Sequence, residues 1–564
     1  MIDNHLHIIR GGLNFNMELR WDGVRSLADA MEMLKRQIAV TPPPQWVRVV
    51  GGFTEHQFAE KRLPTLEEIN AIAPDTPVFL LHLYDRALLN AAALRAVGYT
   101  KDTPEPPGGE IVRDARGVPV GLLLAKPNAG ILYATLAKGP KLPFEYQVNS
   151  TRHFMRELNQ ARRDGRHRRR RRLPELSGRL RRHPQARRGP AAHHPPRLQP
   201  VHAEAEGREG RFPQLGEDVD ATQQGNDYFR HNGAGEMLVF SAADFEDFRQ
   251  PRPDMPPEME RELEDVVRIL AANRWPWRLH ATYDETISRA LDVFERVARD
   301  IPLDGLNWFF DHAETISDRS MDRIAALGGG IAVQHRMAYQ GEYFVERYGA
   351  AAAAATPPFA RMLAKGLRVS AGTDATRVAS YNPWVSLAWL VTGKTVGGLR
   401  LYPERNCLDR ETALRMWTEN VTWFSNEEGK KGRIEVGQLA DLLVPDRDYF
   451  ACPETEIADI TAHLTVVGGK IVYGAGDFAH LDEATPPPAM PDWSPVRRFG
   501  GYAAWDDRER STAKAAMRTS RFGLRTRPRG ARPRLHIVLG RARLRLLGCI
   551  RMFAEGALDA ESVV

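Results

Sequence analysis

Short apolar runs alternate with amphipathic stretches along much of the chain. Val78-Phe-Leu-Leu-His-Leu-Tyr84, set between Pro77 and Asp85, reads as a buried strand, and Gly121–Lys126 as a second one closed by Pro127. Helical spacing runs through 26–40 and 65–73 and begins again at Thr151. Beyond residue 223 the rhythm sharpens. Strand-like runs at Gly235–Phe240, Trp277–His280, Leu306–His312, Gly330–His335 and Leu367–Asp374 are separated by helical stretches, among them 258–273, 287–299 and 319–327. Units of roughly thirty to forty residues built this way predict parallel strands joined by crossover helices, an α/β fold. The closed form is a (β/α)8 barrel, TIM-like, whose chemistry sits at the C-terminal ends of its strands. His280, His312, His335 and Asp374 all fall at such ends.

The start of the chain supplies the pattern that fits them. In a strand over Asp3-Asn4-His5-Leu6-His7, alternate side chains share a face, so His5 and His7 point together while Leu6 and Ile8 point into a core. Two imidazoles on one face suit a divalent metal ion. Joined by single histidines ending later strands and by Asp374, they form a ligand set that a barrel would gather at one mouth. A water held there has its pKa lowered to about 7, and Asp374 is placed to act as its general base.

Composition changes this picture in three places. At 564 residues and 43% hydrophobic, the chain is long enough for a large core and more than one domain. Cys407, Cys452 and Cys549 are too few and too scattered for a disulfide framework or a thiolate cluster, so a metal would be held by His, Asp, Glu or Lys. No run of eighteen apolar residues and no signal-peptide pattern appears, which leads to the expectation of a cytoplasmic protein with no membrane partner. The net charge of +6 comes from two unusual segments: 161–220 carries 16 Lys/Arg against 8 Asp/Glu, and 501–564 carries 14 against 6. The remainder is acidic, which argues against nucleic acid as a partner.

Between 161 and 222 periodicity vanishes, and Arg162–Arg188 alone holds thirteen arginines. A reading-frame slip in GC-rich coding sequence is the preferred explanation, over a disordered basic arm for phosphate backbones. The expected organisation is then 1–160 as the first part of the barrel with an inserted segment, 161–222 as the anomalous block, 223–425 as the rest of the barrel, 426–500 as part of a small β-sandwich, and 501–564 as a basic tail.

The ordered motifs resemble the amidohydrolase superfamily and, within it, amidohydrolase family 3, which includes the YtcJ-like proteins and N-substituted formamide deformylase. Asp3-Asn4-His5-Leu6-His7 is similar to that family's D-x-H-x-H motif, Leu279-His280-Ala281-Thr282-Tyr283-Asp284 and Asp311-His312-Ala313-Glu314 to its later histidine strands, and Gly372-Thr373-Asp374-Ala375 to its Gly-Ser/Thr-Asp segment. Residues 431–444 resemble the segment entering the small sandwich. The resemblance implies one or two divalent ions, zinc first among them, with His5, His7, His280, His312 and Asp374 as ligands. Asp374 would also be the catalytic proton shuttle, and Lys126 either a carboxylated bridging lysine or a strand-end lysine in solvent. It further implies substrate contacts from His82, Asp85 and His335, against which stand a buried structural His82 and a satisfied core His335, with Asp284 either orienting His280 or capping a helix.

The activity implied is hydrolysis of a C–N bond in an amide or formamide-like small molecule; a homo-oligomer is compatible with it. An inactive or damaged protein of the same fold, and a nucleic-acid-binding protein acting through Arg162–Arg188, are the alternatives. The family places strands ahead of its H-x-H motif, and their lack here leads to the expectation of a misassigned start and of open sheet edges in 433–473.

Overall fold

The computed structural model describes residues 1–106, 109–126, 129–160, 226, 228, 232–244, 248–249, 252, 254–502 and 547–548. The frame slip, the basic arm and the turn at Pro127 lie outside the described residues. So does most of the basic tail.

Three sheets organise what is described. In the first, β1 (Glu18–Leu19), β2 (Val47–Val49) and β3 (Val78–His82) run parallel, and β4 (Arg86–Leu89), β5 (Gly109–Arg113) and β6 (Pro119–Ala125) extend it by antiparallel pairing, in the order β1-β2-β3-β4-β6-β5. The second sheet is wholly parallel: β7 (Trp277–Ala281), β8 (Trp308–His312), β9 (Gly330–Gln334) and β10 (Arg368–Gly372) lie side by side in chain order, a helix between each pair. Single parallel bridges lengthen it at both ends, Ala234 beside Trp277 and Leu6 beside Ala375.

This is an α/β fold, but the described pairing does not draw the closed eight-stranded ring expected of it. Its parallel strands stand as a set of three and a set of four. One physical reason lies at Gly235–Phe240. Only its first residues pair with β7, through Arg278 N–H to Ala234 O (2.9 Å) and His280 N–H to Glu236 O (3.1 Å), before the chain turns into a 3-10 helix at Phe240–Ala242 and leaves Phe240 exposed.

Packing follows the helical spacing. Helix Asp284–Asp300 buries Ile287, Ala290, Leu291, Phe294 and Val297. Phe294 then meets Trp277, Trp308 and Phe310 with ring centroids 5.7, 5.0 and 5.7 Å away, a cluster that anchors the backs of β7 and β8. Ser26 and Thr65 cap the helices Leu27–Ile38 and Leu66–Ile72, the second through a capping box with Glu68.

β11 (Leu442–Pro445), β12 (Ala462–Val467), β13 (Lys470–Gly474) and β14 (Leu547–Gly548) form the third sheet, antiparallel in the order β13-β12-β11-β14. The edge of β11 expected to be open is therefore paired at Leu442 and Leu443. Helix Phe144–Gln160 docks this sheet: Thr465 Oγ1 donates to Asn159 O at 2.7 Å, and the Arg156 guanidinium lies 4.4 Å from the centre of the Tyr473 ring. No described helix is long and apolar enough to cross a membrane.

Candidate metal centre

The first residues of the chain are fastened to the end of β10. The Asp3 carboxylate accepts hydrogen bonds from Thr373 N–H (3.0 Å), Thr373 Oγ1 (2.6 Å) and His5 N–H (3.0 Å). Asp374 N–H donates to His5 O at 2.7 Å and His7 N–H to Ala375 O at 3.1 Å. The expected strand is cut to this short ladder because helix Ile8–Asn14 begins at once. His5 and His7 still converge, ring centroids 5.1 Å apart.

Three residues at the strand ends adopt the left-handed region: His312 (φ 79°), Ala313 (φ 54°) and Asp374 (φ 53°). Each such placement of a non-glycine residue costs roughly 1–3 kcal/mol and survives only where neighbours enforce it. Here Ala313 N–H is held by Ala281 O at 2.9 Å, and Asp374 by His5. Both His312 and Asp374 point into the cluster of histidines around Glu236.

The two oxygens of Glu236 face different groups. Oε1 lies 3.5 Å from His5 Nε2 and 3.8 Å from His7 Nε2, while Oε2 lies 3.4 Å from His280 Nδ1 and 3.5 Å from His312 Nε2. Asp374 Oδ1 closes the first group, 3.0 Å from His7 Nε2 and 3.5 Å from His5 Nε2. His280 Nδ1 and His312 Nε2 are 2.8 Å apart in the second. Ligands about 2.0–2.1 Å from a tetrahedral ion stand about 3.3 Å from one another, so these spacings fit a divalent ion. Imidazole and carboxylate are also the donor types that zinc and its neighbours accept.

Buried residues orient the imidazoles. Asp311 Oδ1 is 3.2 Å from His5 Nδ1, and Arg278 holds that carboxylate with two bonds of 2.6 Å while donating to Asn4 O at 3.0 Å. Asp244 does the same for His280, 3.2 Å from Nε2, and is itself fixed by Thr282 and Tyr283 N–H. Such carboxylate–histidine pairs set which nitrogen faces a metal.

The charges are strongly coupled. Burial works against protonation of His5 and Arg278 adds to it, but the carboxylates of Glu236, Asp311 and Asp374 outweigh both and hold His5 up at about 10. Burial, Arg336 and His280 push His312 down to about 3. Burial would raise Asp374, yet the adjacent histidines hold it well below the usual carboxylate range. Glu236 is lowered for the same reason. Both carboxylates are therefore held ionised by the histidines around them.

The sequence profile described as "Amidohydrolase family" matches residues 1–473. The chain belongs to the amidohydrolase family. It is 26% identical over 484 residues to N-substituted formamide deformylase of Arthrobacter pascens, an alignment covering 84% of this chain and 87% of that protein. It is 24% identical to the putative amidohydrolase YtcJ of Bacillus subtilis (strain 168), covering 84% and 88%. An uncharacterized metal-dependent hydrolase from Pyrococcus horikoshii OT3 superimposes with a TM-score of 0.49 at 18% identity, covering 80% of this chain and 86% of that one.

In this amidohydrolase, His5, His7, His280, His312 and Asp374 come together as the motif order leads one to expect. Lys126 does not join them. Its side chain is 42% exposed and pairs with Glu110 at 2.5 Å, because β6 lies two strands out from β3 in the antiparallel extension. Glu236 stands between the two pairs of histidines. Its sequence signal is slight, a lone acid in an apolar run one unit ahead of His280.

His335 is buried beside β10, its Nδ1 3.5 Å from Gly372 O, and burial pushes it down to about 4. His82 and Asp85 form a separate buried cluster. His82 lies between Asp85 (Nδ1, 2.6 Å) and Glu55 (Nε2, 2.7 Å), with Tyr343 Oη at 3.5 Å. Asp284 accepts from Ser317 N–H at 2.8 Å rather than orienting His280, which is served by Asp244.

Proposed function

We propose that this hydrolase cleaves a C–N bond of an amide or formamide-like small molecule at one or two divalent ions, with zinc the best match to the donors. The observation that carries this reading is Glu236, whose two oxygens each face a different pair of histidines at 3.4–3.8 Å. His5, His7 and Asp374 would hold one ion and His280 and His312 another, with Glu236 between them. Bound there, a divalent ion supplies Lewis acidity, polarising a carbonyl and lowering the pKa of water to about 7. Asp374, ionised and 3.0 Å from His7 Nε2, accepts a proton from the attacking water and delivers it to the leaving nitrogen. His335, neutral and buried next to that aspartate, is assigned to substrate binding, as are His82 and Asp85 at the end of β3.

The parallel sets β1–β3 and β7–β10, with the Leu6 bridge at the end of β10, support a (β/α)8 barrel. Cys407 and Cys452 are unpaired, in keeping with a reducing compartment, and we assign the protein to the cytoplasm. The test is elemental analysis of the purified protein together with turnover of a panel of N-substituted formamides and N-acyl amines. The His5→Ala/His7→Ala double variant is expected to lose both metal and turnover; undiminished turnover in that variant overturns the reading.

A further inference from the structure

Two arginines leave the candidate metal centre on adjacent segments. Arg10 follows His7 by three residues and Arg377 follows Asp374 by three, on backbones joined by the Leu6–Ala375 bridge. Both guanidinium carbons lie over the Tyr133 ring, Arg10 at 5.4 Å and Arg377 at 4.7 Å from its centroid. Arg10 Nη2 also donates to Tyr84 Oη at 2.7 Å.

Neither arginine makes an ion pair among the described residues. Arg377 is only 3% exposed, and its Nε and Nη1 are buried without a hydrogen-bond acceptor; so are Arg10 Nε and Tyr133 Oη. The acids whose charge reaches them are already engaged. Glu18, whose carboxylate feels Arg377, is bound by Arg20 Nη1 at 2.5 Å, and Asp374 and Glu236, which act on Arg10, face the histidines. A buried guanidinium without an anion costs several kcal/mol, and its planar fork matches a carboxylate with two parallel bonds.

We infer that Arg10 and Arg377, with the Tyr84 and Tyr133 hydroxyls, bind a carboxylate on the substrate, making the substrate an N-acyl or N-formyl amino acid. This inference rests on the hydrolytic reading above. In the reaction the water oxygen bonds to the acyl carbon, the C–N bond breaks, and the nitrogen leaves with the water's proton. The products are a carboxylic acid and a free amino acid.

The test compares N-formyl and N-acetyl derivatives of glycine, leucine and phenylalanine with their methyl esters, which keep the amide and lose the charge. Steady-state kinetics and, separately, thermal-shift binding are measured on the full-length protein and on Arg377→Met, Arg10→Met and Tyr133→Phe. The acids are expected to raise the melting temperature and to exceed the esters at least a hundredfold in kcat/KM. In the arginine variants that preference should fall below tenfold, with binding of the acids lost. Should Arg377→Met fail to fold, the acid-to-ester ratio of the unaltered protein and the Arg10→Met variant decide. Equal handling of acids and esters overturns the inference while leaving amide hydrolysis standing. Arginine-dependent binding of the acids with no amide cleaved supports the carboxylate site and removes the hydrolytic reading.

Discussion

Replacing Glu236 by Gln removes one negative charge and almost no volume from the point where both pairs of histidines meet. A unit charge and another about 4 Å away interact by about 4 kcal/mol at an effective dielectric of 20, and by about twice that for a dication. Even if two-thirds of this is offset by the cost of desolvating the carboxylate, about 2.7 kcal/mol remains, a hundredfold in Kd. Glu236→Gln is therefore expected to weaken metal binding at least a hundredfold. The assay is metal content by mass spectrometry after equilibration against a series of buffered free-metal concentrations, with circular dichroism to verify folding. Lys126→Gln, in the same assay, should bind as the unaltered protein does, since Lys126 reaches Glu110 and not the histidines. If Glu236→Gln keeps its metal while Lys126→Gln loses it, the assignment of the group between the two ligand sets is refuted.

Asp311→Asn should lower metal affinity 10- to 100-fold by loosening His5, read by the same titration; an unchanged Kd would show that Arg278 and Asn4 hold the imidazole unaided. Burial favours neutral His82, but Asp85 and Glu55 outweigh it and raise the group from 6.5 to about 9. A raised folded pKa gives stability that is complete below pH 6.5 and lost as the pH climbs through 9, here about 3 kcal/mol. Urea unfolding at pH 6 and pH 9.5 should show that loss in the unaltered protein and much less of it in His82→Gln. A Cβ at Gly52 would lie 2.0 Å from Ala379 C and Ser380 N, both backbone atoms, so Gly52→Ala should destabilise by several kcal/mol; a melting temperature within a degree of the parent's would contradict this packing.

His280, His312 and Asp374 were legible because each ends an apolar run, and His5 and His7 because their spacing of two carries meaning wherever extended backbone occurs. Helices such as Leu27–Ile38 and Met259–Ala272 follow directly from their spacing and caps. Glu236 was not legible. Its position depends on two hydrogen bonds to β7, and the apolar residues after it read as a continuing strand where the chain in fact turns at Phe240. Lys126 is misleading for the opposite reason: β6 is a genuine strand, but pairing with β4 and β5 carries it away from the histidines, and pattern along a chain says nothing about which neighbour a strand will choose.

The hydrogen bonds from Thr373 to Asp3 span 370 positions of the chain. On the ribosome His5 and His7 emerge before Asp374, and at roughly 5–20 residues per second about 20–75 seconds separate them from it. Until then the pair lacks the carboxylate that faces both of its Nε2 atoms, at 3.5 Å from His5 and 3.0 Å from His7. A chain that stops short of Asp374 therefore carries both histidines without the strand end that fastens and orients them.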